Sequence, residues 1–513
     1  MIRIGVDVGG TNTDAVVLDG PRVIAGAKRP TTADVLSGVN VAVEAAMAAS
    51  GIAPAQVDAV MVGTTHFVNA LVERRRLAPT GLIRLCLPSG GSLKPFADWP
   101  ADLIAAMGLR FRLVDGGYEM DGRELAPINP AQILQAAREL VAEGCTEMAI
   151  SSVFATIRGE AEREAAALVA GEFPAMAVTL SQEIGRIGLL ERENAAAINA
   201  SLRPLARGVV DAFGGVRENL GLRCPLFFTA NDGTLIDSAE VARLPVLTFA
   251  CGPTNSMRGA AYLSGVRNAL VVDVGGTTTD VGEVRDGFPR LAGTSVEVVD
   301  VRTNFSMPDV ISVGLGGGSL VDLKAKTVGP RSVGRELIQK GIIFGGETLT
   351  ASDIVVAAGR AEMGSHPPPR IAGVEEYVRV IDQIIGDAVA RARTNGEAMP
   401  VLAVGGGSVL MADEVDGLPV IRPPHFDLAN AVGAAIAQIS GEVSRIVPVS
   451  AGLTREEAID QVTEEARQQA IARGAEPGSI TILSKSDVPL SYLPGNNLSI
   501  SVTVVGDLKL EER

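Results

Sequence analysis

The chain has 513 residues, a formal net charge of −15, an apolar fraction of 47% and only 4% aromatic residues. That length exceeds what one hydrophobic core usually supports, so at least two domains of roughly 200 residues are expected, with cores of Ala, Val, Leu and Ile. The acidic balance, with Lys and Arg scattered rather than striped, excludes a nucleic-acid partner, and no apolar run reaches the roughly 18 residues of a membrane span.

In chain order, Met1 runs straight into an apolar stretch, Ile2 to Val6, with no basic or apolar leader, which predicts an unexported, cytoplasmic chain. A tight turn, Asp7-Val8-Gly9-Gly10-Thr11-Asn12-Thr13-Asp14, leads into a second strand, Ala15 to Leu18. Strands are then expected at Val57–Gly63, Leu82–Leu87, Glu147–Phe154 and Met176–Leu180, with helices between them, which predicts an α/β sheet. One helix is fully punctuated: Asn129 caps it, Pro130 takes its first turn, Ile133, Leu134, Ala137, Leu140 and Val141 form its apolar stripe, and Gly144 ends it. Gln182–Asn199 reads as a connecting helix, and Leu244–Gly252 as a strand and turn. A second α/β lobe opens near Asn268 and carries glycine clusters at 275–276, 314–318 and 405–407. Beyond residue 445, Thr454 and Glu457 make a capping box for a helix ending at Gly474. Strands are expected there at Ser479–Leu483, Leu490–Leu493 and Leu498–Val505. The expected division is a first lobe (1–190), a connecting region of helix and strands (191–267), a second lobe (268–445) and a small α+β appendage (446–513). Cys86, Cys145, Cys224 and Cys251 form no C-x-x-C pair, so reduced thiols are expected rather than a zinc ribbon or a disulfide framework.

The first turn recurs 266 residues later as Asp273-Val274-Gly275-Gly276-Thr277-Thr278-Thr279-Asp280, identical at seven of eight positions. Paired glycines bring backbone N–H groups close to a phosphate, threonine hydroxyls add donors, and carboxylates can hold hydrated Mg²⁺. An ordinary β-hairpin needs glycine at its turn but has no use for aspartate at both ends of both copies. The duplication therefore points to an ATP site with two jaws. Asp7 and Asp273, at strand ends beside the turns, are the candidate metal ligands and catalytic carboxylates. For Asp14 and Asp280, capping of the turn and a functional role both stay open.

Two such turns with a late Gly405-Gly406-Gly407-Ser408 turn resemble the actin-like ATPase superfamily, with its two-lobed, ribonuclease H-like α/β fold. Gly63-Thr64-Thr65 with Asn69-Ala70-Leu71, Glu191-Arg192, Gly252-Pro253, Val313 to Ser319 and Ala429 to Ala434 narrow the resemblance to the hydantoinase A/5-oxoprolinase family, over roughly residues 1–440. That resemblance implies ATP and Mg²⁺ as cofactors. It also implies a small-molecule substrate, a cyclic amide such as a hydantoin, 5-oxoproline or a lactam, whose poorly electrophilic carbonyl is activated by phosphorylation on oxygen before water attacks. A second, hydantoinase B-like or other hydrolytic subunit is implied as partner, while self-association stays open. Gly9, Gly10, Thr11 and Thr13 would cradle phosphates from one lobe and Gly275, Gly276, Thr277 and Thr279 from the other. Gly405, Gly406 and Gly407 would carry the adenosine, and Gly316 and Gly317 would meet an anion or substrate oxygen.

The chain departs from that family in three places. A histidine of relatives is Ile311 here, His66 is gained and becomes a candidate catalytic residue, and Gly252-Pro253 replaces a glycine pair. No G-x-S-x-G or H-E-x-x-H motif occurs, so hydrolysis by this chain alone is not expected. One rival reading is a small-molecule kinase with Asp115, Asp121 or Asp309 as base, Asp309 being kept as the catalytic candidate. Another is a nucleotide-switched activator or binding protein.

Overall fold

Strand Ile2–Val8 buries Ile4, Val6 and Val8 and pairs antiparallel with Asn12–Asp19 on one side and parallel with Ala59–Thr64 on the other. The second copy repeats this arrangement: Ala269–Val274 pairs antiparallel with Thr279–Arg285 and parallel with Val401–Val404. The registers coincide, since Asp7 faces Asp14 and Asp273 faces Asp280. The computed structural model in which this is seen describes residues 1–31, 35–293, 295–449, 452–490 and 496–509. It has the expected two-lobed α/β architecture, one lobe built on each copy of the turn.

The first lobe's main sheet has nine strands, in the order Thr481–Pro489, Asn497–Gly506, Gln438–Pro448, Thr234–Asp237, Leu226–Thr229, Ala59–Thr64, Ile2–Val8, Asn12–Asp19 and Arg22–Pro30. Its first three strands come from the end of the chain. Leu498, Ile500, Val502 and Val504 alternate along one of them and pack on Ala458, Val462, Ala466 and Ala470 of helix Arg455–Ala472, whose Thr454–Glu457 capping box forms as expected. The C-terminal segment thus extends the first lobe's sheet. Of its expected strands, Ser479–Leu483 is found as Thr481–Pro489 and Leu498–Val505 as Asn497–Gly506, while residues 491–493 of the second lie outside the described residues. A separate parallel sheet of Arg110–Asp115, Thr80–Leu87, Glu147–Ser152 and Ala177–Leu180 completes this lobe. Above it lies the punctuated helix, Pro130–Ala142, with the Asn129 side chain accepting from the Gln132 amide.

Two expectations need correction. The connecting helix starts at Leu189, not Gln182, and runs to Asn219, because Gly188 enters it at φ +130°, a backbone state open only to glycine. No strand forms at Leu244–Gly252. Pro245 and Pro253 each occupy a first helical turn, of the 3₁₀ segment Pro245–Thr248 and of helix Cys251–Ser264, where a missing N–H costs nothing. This last helix and the short helix Ala429–Ala435 cross at glycines. A Cβ on Gly259 would lie 1.9 Å from the Ala429 oxygen, and one on Gly433 would lie 1.8 Å from that of Asn255. Gly5 allows the same approach from the first strand, 2.1 Å from the Ala431 oxygen. Ala429–Ala435 is thereby held against both the first-lobe sheet and Cys251–Ser264; Asn430 reaches Asp7, and Asn255 donates to Thr229 beside Gly63.

Candidate functional site

Residues directly opposed on neighbouring strands share a face of the sheet, so the pairings set side chains in rows. In the first lobe the row is Lys28, Asp14, Asp7 and Gly63. In the second it is Ser312, Asp280 and Asp273. Lys28 donates to Asp14 at 2.7 Å, and the Ser312 hydroxyl donates to Asp280. Asp7 is buried, with the Asn430 amide 3.5 Å from its carboxylate. Gly63 is required beside it, because a Cβ there would lie 2.4 Å from the Asn255 side-chain nitrogen and 2.9 Å from an Asp7 oxygen.

Burial pushes the Asp7 carboxyl up to about 7, with Asp14 and Asp273 adding to the rise. Burial pushes Asp14 up to about 6 despite the Lys28 ammonium, and Asp280 up to about 6 despite the Ser312 hydroxyl. Asp273 is raised by burial as well. Carboxylates of one lobe therefore feel those of the other. The turns above them also meet: a Cβ on Gly276 would stand 3.2 Å from the Thr11 hydroxyl.

Each turn closes on itself in the same way, Gly9 N–H to Asn12 C=O at 3.0 Å and Gly275 N–H to Thr278 C=O at 2.9 Å. Among the described residues, the amides of Gly10, Thr11, Gly276 and Thr277 have no protein acceptor. Free N–H groups converging from two sides over carboxylates suit a metal-bound polyphosphate. Thr13 and Thr279, by contrast, point to the face opposite Asp14 and Asp280 and are fully buried, their hydroxyls bonded to Thr31 and to the Leu315 carbonyl. They brace the turns from behind.

Gly405 (φ +83°) tolerates no side chain, since a Cβ would come within 2.2 Å of an Asp273 oxygen; Gly407 bonds back to Val274, and Gly406 lies exposed in open space. The anion-binding role expected of Gly316 and Gly317 is not supported by their amides. Gly316 N–H goes to the Ser319 hydroxyl, and Gly317 and Gly318 N–H go to the carbonyls of Gly275 and Gly276. This loop supports the second turn, as Thr31 supports the first through Gly9 and Thr11.

His66 opens helix His66–Val72, half-buried, just past the strand whose Gly63 faces Asp7. Its Nδ1 lies 2.6 Å from the Thr64 hydroxyl, and burial lowers its pKa, so the ring is neutral at pH 7. Asp309 is not brought to the turns. It pairs with Arg290 at 2.5 Å, three residues down the strand from Ser312, roughly 10 Å at strand rise. Asp115 is held by Gln132 and Asp121 by Arg123, both in the small parallel-sheet region. Ile311 packs in the second-lobe core opposite Val281, and His425 and His366 are exposed. Cys251, beneath Thr64, is pushed up to about 12 by burial and is inert as a nucleophile.

Among the described residues no three His, Cys, Asp or Glu side chains gather into a closed cation cage. Mg²⁺ does not need one, because it binds through one or two carboxylates together with water and phosphate oxygens. The mutually raised carboxylates fit a site that a cation relieves. Sequence reasoning passed over Lys28, Thr31, Asn255, Asn430 and Ser312. The hairpin register would have revealed Lys28, and Asn430 lay inside a motif already noted.

Residues 3–173 match the model of the hydantoinase/oxoprolinase N-terminal region, and residues 192–378 that of hydantoinase/oxoprolinase. The chain is 26% identical to caprolactamase subunit alpha of Pseudomonas jessenii, over 88% of this chain and 69% of that protein. It is 27% identical to the acetophenone carboxylase gamma subunit of Aromatoleum aromaticum, over 73% of this chain and 56% of that protein. Its fold matches the crystal structure of the ATP-dependent caprolactamase from Pseudomonas jessenii with a TM-score of 0.76 at 18% identity, over 99% of this chain and 88% of that one. No helix among the described residues is long and apolar enough to cross a membrane.

Proposed function

We propose, from the premise that this chain belongs to the hydantoinase/oxoprolinase family, that it is the ATP-using subunit of an enzyme that opens a cyclic amide. The observation that carries the reading is the pair of facing turns, Gly9-Gly10-Thr11 and Gly275-Gly276-Thr277, with free amides above the carboxylates of Asp7 and Asp273. ATP supplies the phosphoryl group that turns an amide oxygen into part of a leaving group. The residues position it: the four amides orient the terminal phosphates, Asp7 and Asp273 hold Mg²⁺, Gly406 leaves room for the nucleoside, and closure of the lobes excludes water. Neutral His66, just past the strand that carries Gly63, would accept or donate one hydrogen bond to the substrate.

The sequence holds no G-x-S-x-G or H-E-x-x-H motif for the hydrolytic step, and its relatives are named as subunits, which supports a partner that completes the reaction. The likeness to the acetophenone carboxylase subunit favours a second reading, in which the same phosphoryl transfer activates a ketone. Lactams, hydantoins and aryl ketones, each supplied with ATP and the protein encoded beside this one, test the choice. ATP consumption coupled to ring opening supports the amide reading, and consumption only with ketone and bicarbonate supports the other. Phosphorylation of an alcohol by the chain alone overturns both.

A further inference from the structure

The two halves of the site are duplicates in backbone, register and acidic residues, yet they differ in the residue that flanks the outer carboxylate. In the first lobe the strand beyond Asp14 brings Lys28, which donates to it at 2.7 Å. In the second the strand beyond Asp280 brings Ser312, which donates a neutral hydroxyl. The first row therefore holds two carboxylates and one ammonium, a formal −1, and the second holds two carboxylates and no cation, a formal −2. Lys28 is the one cation donating to any of the four carboxylates among the described residues.

We infer that Lys28 makes the duplicated site one-sided: it ties up Asp14 from within the protein, and the divalent cation that accompanies nucleotide is taken by Asp7 and Asp273 together with Asp280 beside Ser312, rather than by Asp14. The inference rests on the ATP reading above. Its physical basis is competition. An ammonium already bonded to a carboxylate must be displaced before a hydrated divalent ion can use that carboxylate, whereas a serine hydroxyl leaves the charge of Asp280 available. Lys28 keeps about a third of its side chain exposed, so its ammonium can also face an incoming phosphate oxygen while it holds Asp14.

The symmetry supplies its own control, since each substitution has a counterpart in the other lobe. Mn²⁺ binding to the full-length protein with ADP is followed by electron paramagnetic resonance and calorimetry. Asp280→Asn is expected to weaken Mn²⁺ about tenfold or more, and Asp14→Asn less than about threefold, a tenfold change being 1.4 kcal/mol. Ser312→Lys, at an exposed position that threatens no core packing, is expected to weaken Mn²⁺ as Asp280→Asn does. Lys28→Met is expected to raise Mn²⁺ stoichiometry or affinity by freeing Asp14. Equal losses from Asp14→Asn and Asp280→Asn, or an unchanged Mn²⁺ affinity in Ser312→Lys, overturn the inference while leaving the ATP reading intact. Failure of wild type to take up either ADP or Mn²⁺ overturns both.

Discussion

Replacing Asp7 by Asn should make the nucleotide-free protein more stable at pH 8 and less able to bind nucleotide with metal. The folded carboxyl is held at about 7, against an ordinary value of 3.8, because it is 6% exposed and faces Asp14 and Asp273. A carboxyl raised on folding favours the folded state while it stays protonated, and that advantage is lost as pH rises through 7. Above that pH the ionised Asp7 disfavours folding by up to about 4 kcal/mol relative to pH 4. Asn has the same shape and no charge, and it removes this pH-dependent term. Without nucleotide or metal, Asp7→Asn should melt several degrees above wild type at pH 8, given about 2–4 °C per kcal/mol for units of 150–250 residues. The gap should narrow below pH 7 and close near pH 4. With saturating Mg²⁺ and ADP the order should reverse, since wild type alone then gains full binding energy. Thermal melts at fixed scan rate across pH 8, 7, 6 and 5, with and without ligand, read both effects. A variant less stable than wild type at pH 8 without ligand, or a gap that does not change with pH, would refute the picture of strained, cation-seeking carboxylates.

Further expectations follow from single contacts. His66→Ala should lower substrate-stimulated turnover about 10²-fold while leaving nucleotide affinity nearly unchanged; a lower melting point with normal turnover would make His66 a structural residue. Gly405→Ala forces a Cβ to 2.2 Å from an Asp273 oxygen at φ +83°, so calorimetry should find nucleotide binding reduced at least about tenfold, with stability down by roughly 1–3 kcal/mol. Metal-dependent nucleotide affinity should fall as pH is lowered from 8 to 6, because Asp7 and Asp280 must lose protons held at about 7 and about 6, and a titration flat over that range would contradict it. Asp309→Asn should leave nucleotide binding unchanged, since Asp309 is committed to Arg290 away from the turns; a loss above about threefold would place it in the site after all.

The paired turns were legible because an octapeptide recurs with seven of eight residues unchanged, and duplicated acids have no use in an ordinary hairpin. Helix Pro130–Ala142 was legible because cap, proline and terminal glycine all act locally. What escaped depends on distant pairing. Nothing near Leu498 to Val505 says that its strand will join Gln438–Pro448 in the first lobe's sheet. The glycines at 316 and 317 look like an anion turn in sequence, and only the carbonyls of Gly275 and Gly276, some forty residues away, reveal where those amides bond. Thr13 and Thr279 were misread more simply. With Asp7 opposite Asp14, strand alternation already sends the neighbouring threonine to the other face. The same alternation applied one strand further would have set Lys28 beside Asp14.

The most direct test of the central claim is calorimetric titration of the purified chain with Mg²⁺ and ATP or ADP, wild type beside Asp273→Ala. Wild type should bind one nucleotide per chain in a metal-dependent way, and Asp273→Ala should lose that metal dependence along with most of the affinity. No uptake by wild type at millimolar nucleotide, or unchanged metal-dependent binding in Asp273→Ala, would contradict a nucleotide site between the two turns.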